Sequence, residues 1–384
     1  MKTILRLSVY FLLYLIIGSF IGCVEKKGNH PKTSDTKSMI DTKTRENPLV
    51  LLVDKPTDIR TPNDMVWIPG GEFIQGAVPQ DQMAMAHEKP AHKVAIDGFF
   101  MKTTEVTNAE FKKFVDQTGY ITLAEREIDW EEMKKQLPEG TPKPHDSIMQ
   151  PGSLSFKKAE SPVPNLYDFS QWWRWSIGAN WKQPNGPGTN ITGKDNHPVV
   201  HIAYEDALAY CEWAGSRLPT EAEWERAARG TKENSILFWG DDISGLSKMA
   251  NTWEGQFPVL NTKADGYERR APVKSYPPND LGLYDMAGNV WEWTSDWYNT
   301  NYYNELTSDN KTIYNPKGAD RPYNARDPYA KDRIMKGGSF LCNASYCASY
   351  RISSRMATSM DSSMEHLGFR TAATVEMVRN MNNK

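Results

Sequence analysis

Apolar residues recur at helical spacing in three segments, each bounded by a capping residue and a glycine. The first follows the sequence TNAE at 107–110, a capping box in which threonine and glutamate satisfy free N–H groups, and ends at Gly119. The second covers residues 205–214, directly before a glycine. The third opens with the capping box TEAE at 220–223 and ends at Gly230. We therefore predict three helices at these positions.

Short apolar runs alternate with clusters of Gly, Pro, Asn and Asp, a pattern typical of strands joined by turns. The clearest runs are Met65 to Ile68, Lys93 to Ile96 and Arg333 to Lys336. Residues 122–170 and 303–332 show neither helical nor strand periodicity, so we predict loops or insertions there. The expected fold class is α+β with a large irregular fraction.

The first 23 residues have the pattern of an export signal. Lys2 and Arg6 precede an apolar run that ends just before Cys23. The run is short for a membrane span and a charged segment follows it, which favours cleavage of a signal peptide over residues 1–22. The ending FIGC resembles a bacterial lipobox, so Cys23 is the predicted lipidation site, and the chain is expected to be exported and anchored to a bacterial membrane, facing the periplasm or the cell surface. An ordinary secretory signal or an uncleaved anchor is the alternative.

Composition divides the rest of the chain into a tether, one domain and a tail. Residues 23–61 are rich in Lys, Thr, Ser, Asp and Asn and nearly free of aromatic residues, so they cannot bury enough apolar surface to fold. Residues 62–375 contain no second linker of this kind and are predicted to form a single domain, followed by a polar tail at 376–384. The net charge of −3 provides no basic face, which argues against nucleic acid as a partner.

The four cysteines fall in different contexts. Cys211 lies within a predicted helix among apolar residues, so we expect a buried, unreactive side chain. Cys342 and Cys347 lie close together in a segment that contains glycine and serine. In an exported protein such a pair favours a structural disulfide, whereas two thiolates at close range would also bind a soft metal such as copper(I). The spacing alone leaves both interpretations open.

Residues 336–351 (KGGSFLCNASYCASYR) closely resemble the active-site segment of the formylglycine-generating enzyme, or sulfatase-modifying factor, family. Five further motifs are similar to the family: MVWIPGG at 65–71, EVTN at 105–108, RLPTEAEWE at 217–225, GLYDMAGNVWEW at 282–293 and LGFR at 367–370. These outer motifs indicate the family's fold, which is C-type-lectin-like with little regular secondary structure and long loops. The cysteine pair distinguishes the oxidases from relatives of the same fold that lack oxidase activity.

The resemblance implies a copper-dependent oxidase. In such an enzyme Cys342 and Cys347 bind copper(I), and the thiolate of a substrate cysteine joins them. Dioxygen and a thiol reductant then convert that cysteine, in a Cys-x-Pro-x-Arg motif of an unfolded sulfatase polypeptide, into formylglycine and thereby activate the sulfatase. Ser339 matches the family's active-site serine and would order oxygen or water, with a simple turn serine as the alternative.

Two rival interpretations stay open at this point. One is a non-catalytic surface lipoprotein, a scaffold or binding module of the same fold, in which the cysteine pair forms a disulfide. The other is an oxidase of the same fold that acts on a different peptide or a small thiol.

The resemblance also implies two structural calcium sites built from oxygen donors, which this hard cation prefers. The first would take side-chain oxygens and main-chain carbonyls from Asn251, Thr252, Asp265 and Tyr267. The second would take them from Asp285, Gly288, Val290 and Glu292, with Glu105 as a further ligand.

Other candidate residues have a plainer interpretation. His197 and His201 are four residues apart, but without a third ligand such a pair is more typical of a structural role. Thr371 stands where a disulfide partner for Cys211 would be expected, so that cysteine is predicted to be unpaired. The remaining question is whether a group of tryptophans lines a peptide-binding groove or belongs to the core: Trp172, Trp173, Trp175 and Trp181.

Overall fold

The three helices predicted from capping patterns are confirmed. At the first, the Thr107 side chain accepts a hydrogen bond from the Glu110 N–H, and the helix ends at Gly119 with a φ of 69°. Glycine adopts this left-handed conformation without steric cost and so closes the helix. In the residues that the computed structural model describes (50–136, 139–147, 149–307 and 311–382), the α-helices are α1 (Asn108–Thr118), α2 (Trp130–Met133), α3 (Tyr204–Ala214), α4 (Glu221–Arg229), α5 (Leu246–Met249), α6 (Tyr302–Leu306) and α7 (Val375–Asn382). Single turns of 3-10 helix cover Ala86–Glu88, Leu123–Glu125, Lys134–Gln136, Phe169–Gln171 and Ile243–Gly245.

The predicted strands are also confirmed, and they join others in small sheets. The strands are β1 (Met65–Ile68), β2 (Gly71–Gln75), β3 (His92–Ile96), β4 (Phe99–Lys102), β5 (Gly152–Phe156), β6 (Trp173–Ile177), β7 (Trp291–Trp297), β8 (Ile313–Tyr314), β9 (Asp332–Lys336), β10 (Met356–Ser359), β11 (Leu367–Gly368) and β12 (Ala372–Ala373). Their orders are β1-β4-β12, β2-β3-β8, β10-β9-β7-β11 and the pair β5-β6. β8 and β11 pair in parallel with β3 and β7, and the other pairs are antiparallel. The α+β class with much irregular structure is thus confirmed.

The two segments predicted as loops contain short elements, which corrects that prediction. Within residues 122–170, β5 pairs with β6 from Gly152 opposite Ile177 to Phe156 opposite Trp173. The β5 sequence, GSLSF, is mostly small residues, and the strand is stabilised by its partner and by the burial of Phe156 in an aromatic cluster. Because both contacts come from distant parts of the chain, local periodicity could not show them.

Folded structure extends past both boundaries expected for the domain. At one end, residues 50–61 pack onto it and Ile59 is buried; at the other, α7 replaces the expected polar tail and buries Val378. These two side chains meet in one cluster with Phe100, so each end covers the other. The predicted signal peptide, Cys23 and the first part of the tether lie outside the described residues. No helix in the part of the chain that the structure describes is long and apolar enough to cross a membrane.

A buried carboxyl group on β7, Asp296, couples the stability of this fold to pH. Its Oδ2 accepts hydrogen bonds from the Glu221 N–H at 2.9 Å and from the Ser295 hydroxyl at 3.0 Å. Burial, and then the charge of Glu221, raises its pKa to about 7. The unfolded chain has a pKa of about 3.9 at this residue, so the folded protein holds an extra proton between these values. The corresponding stability is lost as the pH rises from about 4 to about 7.

The Asp296→Asn variant keeps the hydrogen-bond acceptor but cannot ionise. We expect its unfolding free energy, relative to that of the parent protein, to increase by about 2 kcal/mol between pH 5 and pH 8. Urea unfolding followed by circular dichroism at both pH values measures this change. If the difference in unfolding free energy between variant and parent is the same at pH 5 and pH 8, Asp296 has an ordinary pKa.

Candidate active site

The cysteine segment leaves β9 through two glycines with left-handed backbone. Gly337 and Gly338 have φ angles of 89° and 76°, which residues with a side chain rarely adopt. At Gly338 a Cβ atom would also lie 2.9 Å from backbone atoms of Ser349 and Tyr350. Glycine therefore lets the chain that leads to the first cysteine lie directly against the chain that follows the second.

The sulfur atoms of Cys342 and Cys347 lie 2.6 Å apart, and both residues are free thiols. Cys342 is buried and Cys347 is partly exposed. Burial, and then the neighbouring Cys347, raises the pKa of Cys342 well above its usual range, while the hydrogen bond from Cys342 lowers the pKa of Cys347. The third cysteine of the described chain, Cys211, is free and buried, and burial raises its pKa to about 12, as expected for an unreactive residue.

Ser339 forms the turn that holds Cys342. Its carbonyl oxygen accepts the Cys342 N–H at 2.8 Å, and its own N–H donates to the Cys342 sulfur at 3.4 Å. Its buried hydroxyl oxygen accepts the Leu341 N–H at 3.3 Å. These contacts fit a turn serine, and a role for Ser339 toward oxygen or water stays a prediction.

An aromatic cluster packs beside the second cysteine. Tyr346 stacks on Phe257 with ring centroids 4.2 Å apart and lies 5.5 Å from Trp172. Trp172 and Trp173 are both buried in this cluster, whereas Trp181 belongs to the main core. Trp172 and Trp173, two of the candidates for a groove, are thus buried residues that support the cysteine segment.

A buried ion cluster that the sequence analysis missed lies close to the cysteine pair. Arg351 donates to the two carboxylate oxygens of Glu88 at 2.8 Å each and to Asp81 at 2.5 Å, and all three side chains are buried. The Arg351 Nε donates to the Ala348 carbonyl oxygen at 2.9 Å, which ties the residue next to Cys347 to the core. The partners of Arg351 are more than 260 positions away along the chain, so no local pattern could reveal them.

The donors at the cysteine pair fit a soft metal ion. Two sulfur atoms are the ligands that copper(I) prefers, and both belong to one short segment held by backbone hydrogen bonds. Within the described ranges, no group of three or more His, Cys, Asp or Glu side chains is arranged to hold a metal. A metal at Cys342 and Cys347 would therefore have two ligands from the described residues.

His197 and His201 have different surroundings and do not share a ligand. The His201 ring nitrogens lie 2.6 Å from the Ser153 hydroxyl and 2.8 Å from the Pro184 carbonyl oxygen. Burial lowers the pKa of His201 to about 4, so its ring is neutral. His197 instead lines a cavity. The two histidines therefore do not form a metal site together.

The residues predicted for the first calcium site come together around Asp265. Its carboxylate oxygens accept the Thr252 N–H at 2.9 Å and the Tyr267 N–H at 3.0 Å. Asn251 is buried next to Thr252, and its amide nitrogen donates to the Arg269 carbonyl oxygen. A carboxylate, an amide and nearby main-chain carbonyls are donors that suit calcium.

The second predicted calcium site contains two buried carboxyl groups with unpartnered oxygens. Asp285 Oδ1 and Glu105 Oε2 are buried and have no hydrogen-bond partner among the described residues. Burial raises the pKa of Asp285 to about 6 and, together with the charge of Asp285, raises the pKa of Glu105 well above its usual range. A bound cation would stabilise both groups in their ionised form. Asp285 and Glu105 therefore fit this site.

Glu292 also lies in a buried ion pair, and its role as a calcium ligand stays a prediction. Its oxygens accept hydrogen bonds from Arg370 Nε and Nη2 at 2.6 Å each and from the Trp224 indole nitrogen at 2.7 Å. Its charge also raises the pKa of Asp285 and of Glu105, so Glu292 lies beside these two carboxyl groups of the second predicted site. Gly288 and Val290 lie on the stretch between Asp285 and Glu292, as the prediction required.

Asn289 joins the two predicted calcium sites to the cysteine segment, and the sequence analysis did not single it out. Its side chain donates to Glu105 at 2.9 Å and accepts from the Ala271 N–H at 2.9 Å and the Asn251 amide at 3.2 Å. Its carbonyl oxygen accepts the Phe340 N–H at 2.9 Å. Its central place in the motif GLYDMAGNVWEW is the sequence feature that could have indicated its importance.

The Asn289→Ala variant leaves these buried polar partners without hydrogen bonds. Alanine is also strained at the φ of 57° that Asn289 adopts. We expect the unfolding free energy to fall by about 3 kcal/mol or more. Urea unfolding measures it, with Asn301→Ala at an exposed position as the control that changes stability by less than about 0.5 kcal/mol. Equal effects of the two substitutions would contradict the linking role of Asn289.

Comparison with known proteins places this architecture in a family. The sequence model of the sulfatase-modifying factor enzyme 1-like domain matches residues 53–375. The chain belongs to this family. Its fold is similar to the solved structure of PvdO from Pseudomonas aeruginosa, with a TM-score of 0.55 and 21% sequence identity, covering 84% of this chain and 100% of that one. At this level of identity the similarity concerns the fold alone.

Relatives within the family differ in activity. The chain is 43% identical over 313 residues to the formylglycine-generating enzyme of Bos taurus. The aligned region covers 81% of this chain and 75% of the relative. It is also 34% identical over 313 residues to the inactive C-alpha-formylglycine-generating enzyme 2 of Mus musculus, covering 81% of this chain and 85% of that relative. Family membership therefore does not by itself establish activity, which has to be argued from the site.

Proposed function

We propose that the chain is a copper-dependent oxidase that uses dioxygen to convert the cysteine of a Cys-x-Pro-x-Arg motif in sulfatases into formylglycine, and so activates them. The observation that carries this proposal is the pair of free thiols, 2.6 Å apart, on the segment that resembles the family's active site. The 43% identity to a relative named formylglycine-generating enzyme supports the same reaction.

The chain's own residues would hold the metal and shape its surroundings. Cys342 and Cys347 would bind copper(I) through two sulfur donors, and bound copper would supply the reaction between dioxygen and the substrate cysteine. The Ser339 turn keeps the first cysteine directed at the second. Tyr346, which belongs to this segment, packs against Trp172 and Phe257 of the aromatic cluster.

The overall change balances with a thiol reductant. The C–S bond of the substrate cysteine is replaced by a C=O bond, and the sulfur leaves as sulfide. The substrate provides two electrons and the reductant provides two more, which together reduce dioxygen. One oxygen atom is accounted for by the aldehyde and the other by water.

The proposal includes structural calcium and an external location. Calcium would bind at Asp265 with its neighbours and at Asp285 with Glu105 and Glu292, because these sites offer hard oxygen donors. A lipid anchor at Cys23 would hold the enzyme at a bacterial membrane, where it meets sulfatase polypeptides after export and before they fold.

Mass spectrometry of a Cys-x-Pro-x-Arg peptide tests the proposal. The full chain, loaded with copper, is incubated with the peptide, dioxygen and a thiol reductant, and a peptide with serine in place of the cysteine serves as the control. We expect the mass loss of a thiol-to-aldehyde conversion in the first peptide only, together with about one copper ion retained per chain. Absence of conversion, with no copper retained by the reduced protein, would favour the non-catalytic scaffold, an alternative supported by the similarity to a relative named inactive.

A further inference from the structure

A cavity of about 120 Å³ lies outside the cysteine segment, and none of residues 336–351 belongs to its lining. Its volume is sufficient for a carboxylate group or a small oxyanion. The polar side chains that line it include Asn108, Trp181, Lys194, His197, Arg269 and Arg270.

The cavity is surrounded by positive charge. Lys194, Arg269 and Arg270 line it, and no Asp or Glu belongs to the lining that the described residues form. The carboxylate of Glu365 faces the two arginines from behind, pairing with Arg269 and lying 3.3 Å from Arg270. One carboxylate against three cationic side chains leaves the cavity with a net positive charge, which favours an anionic ligand.

Two nitrogen atoms of the lining are buried without a hydrogen-bond partner in the described parts of the chain: the Trp181 Nε1 and the His197 Nδ1. Trp181 is only 2% exposed, and an indole nitrogen can only donate. A buried donor without an acceptor is costly, so this group calls for an acceptor oxygen inside the cavity. Burial, and then the charges of Arg270 and Lys194, lower the pKa of His197, which leaves its ring neutral at pH 7.

We propose that this cavity binds a carboxylate or a small oxyanion such as phosphate, held by Lys194, Arg270 and the Trp181 N–H. An oxyanion satisfies both features of the site, since its oxygens accept from the buried indole and its charge balances the cations. A water molecule would satisfy only the first. None of the residues that line the cavity is a cysteine or a predicted calcium ligand, and its occupancy does not depend on the proposed oxidation.

Two arginines of the lining connect the cavity to the cysteine segment and to the aromatic cluster. The Arg270 guanidinium lies 6.0 Å from the ring centroid of Phe340, within the segment 336–351, and the Arg269 guanidinium lies 6.0 Å from that of Phe156 in the aromatic cluster. A ligand that positions these arginines would therefore act on the cysteine segment only through their contacts with Phe340 and Phe156. Two sources supply the required chemistry: a free anion, or an acidic side chain of a bound polypeptide.

Calorimetric titration of the full chain with phosphate, against chloride at equal ionic strength, tests the proposal. We expect saturable binding of phosphate only. In the double variant Lys194→Gln/Trp181→Phe the dissociation constant should rise by about 10-fold or more, because a charge-assisted hydrogen bond and an indole donor are lost. Phenylalanine keeps the apolar contact that Trp181 makes with Phe111, so the fold should be retained, which circular dichroism checks.

Lys182→Gln is the matched control. Its ammonium group lies over the Trp181 ring at 5.5 Å and pairs with Glu125, but Lys182 does not line the cavity. It removes the same charge as Lys194→Gln and should leave phosphate binding unchanged. The proposal is overturned if the parent protein shows no saturable binding, or if the control loses as much affinity as the double variant.

A competition experiment separates the two sources of the anion. Binding of a fluorescent peptide with an acidic residue is compared with that of its glutamine counterpart, with and without phosphate. Preference for the acidic peptide, removed by phosphate, assigns the site to a polypeptide ligand. Equal binding of both peptides, with phosphate still bound, assigns it to a free anion. Either result requires the site, and absence of saturable phosphate binding by the parent protein in the first experiment rejects both.

Discussion

Replacing either Cys342 or Cys347 with serine is expected to lower the rate of peptide conversion by more than about 100-fold. Loss of a hydrogen-bond partner outside a metal's ligand set already costs 10–100-fold in affinity or activity, and each of these substitutions removes one of only two protein ligands. The two variants should also lose tight copper binding. Conversion rates from mass spectrometry and copper content of the purified protein measure both effects.

Cys211→Ala provides the matched control, because this third thiol is buried, free and unconnected to the pair. It should convert peptide at the rate of the parent protein, with a small loss of stability. Thermal unfolding of all three variants separates loss of chemistry from loss of fold. Retention of conversion to within tenfold by a folded Cys342→Ser protein would sink the proposal of a copper-binding pair.

The second large effect is expected at Arg351, whose replacement by methionine should reduce the unfolding free energy by about 3–5 kcal/mol. The substitution leaves Glu88 and Asp81 buried without their guanidinium partner, and an uncompensated buried charge is strongly destabilising. It also removes the hydrogen bond to the Ala348 carbonyl oxygen, so the loop that carries Cys347 loses an anchor. Reduced copper retention in the folded variant should accompany the loss of stability.

Urea unfolding compares Arg351→Met with Lys112→Met, which removes an exposed ion pair with Asp116. Exposed pairs of this kind contribute about 0.5 kcal/mol or less, so the control should be nearly as stable as the parent protein. If both substitutions lower the unfolding free energy by similar amounts, the buried cluster contributes no more to stability than an exposed ion pair does.

Some elements could be predicted because their stabilising contacts are close along the chain. The capping boxes of α1 and α4 each join residues three positions apart, and the glycines that end these helices act through their own backbone. By contrast, β5 depends on β6 and on an aromatic cluster. The packing of residues 50–61 depends on α7 at the other end of the chain, which no local composition could indicate.

The candidate site divides in the same way. Cys342 and Cys347 were recognised because they stand five positions apart in a distinctive segment, but their spacing left both a disulfide and a metal pair open. The structure places the two sulfur atoms 2.6 Å apart and shows the turn at Ser339 that holds Cys342. The anchor at Arg351 was missed because Glu88 and Asp81 precede it by more than 260 residues.

The sequence by itself determined the α+β class, the main helices and strands, the pair of neighbouring cysteines and the family resemblance, since all of these are written in short stretches of residues. Only the tertiary structure decided which buried polar groups face each other. It placed Glu292 with Arg370 and brought Glu105 to Asp285. The physical reason is that a buried charge takes its partner from whatever the folded chain brings within reach, and burial makes each such choice energetically decisive.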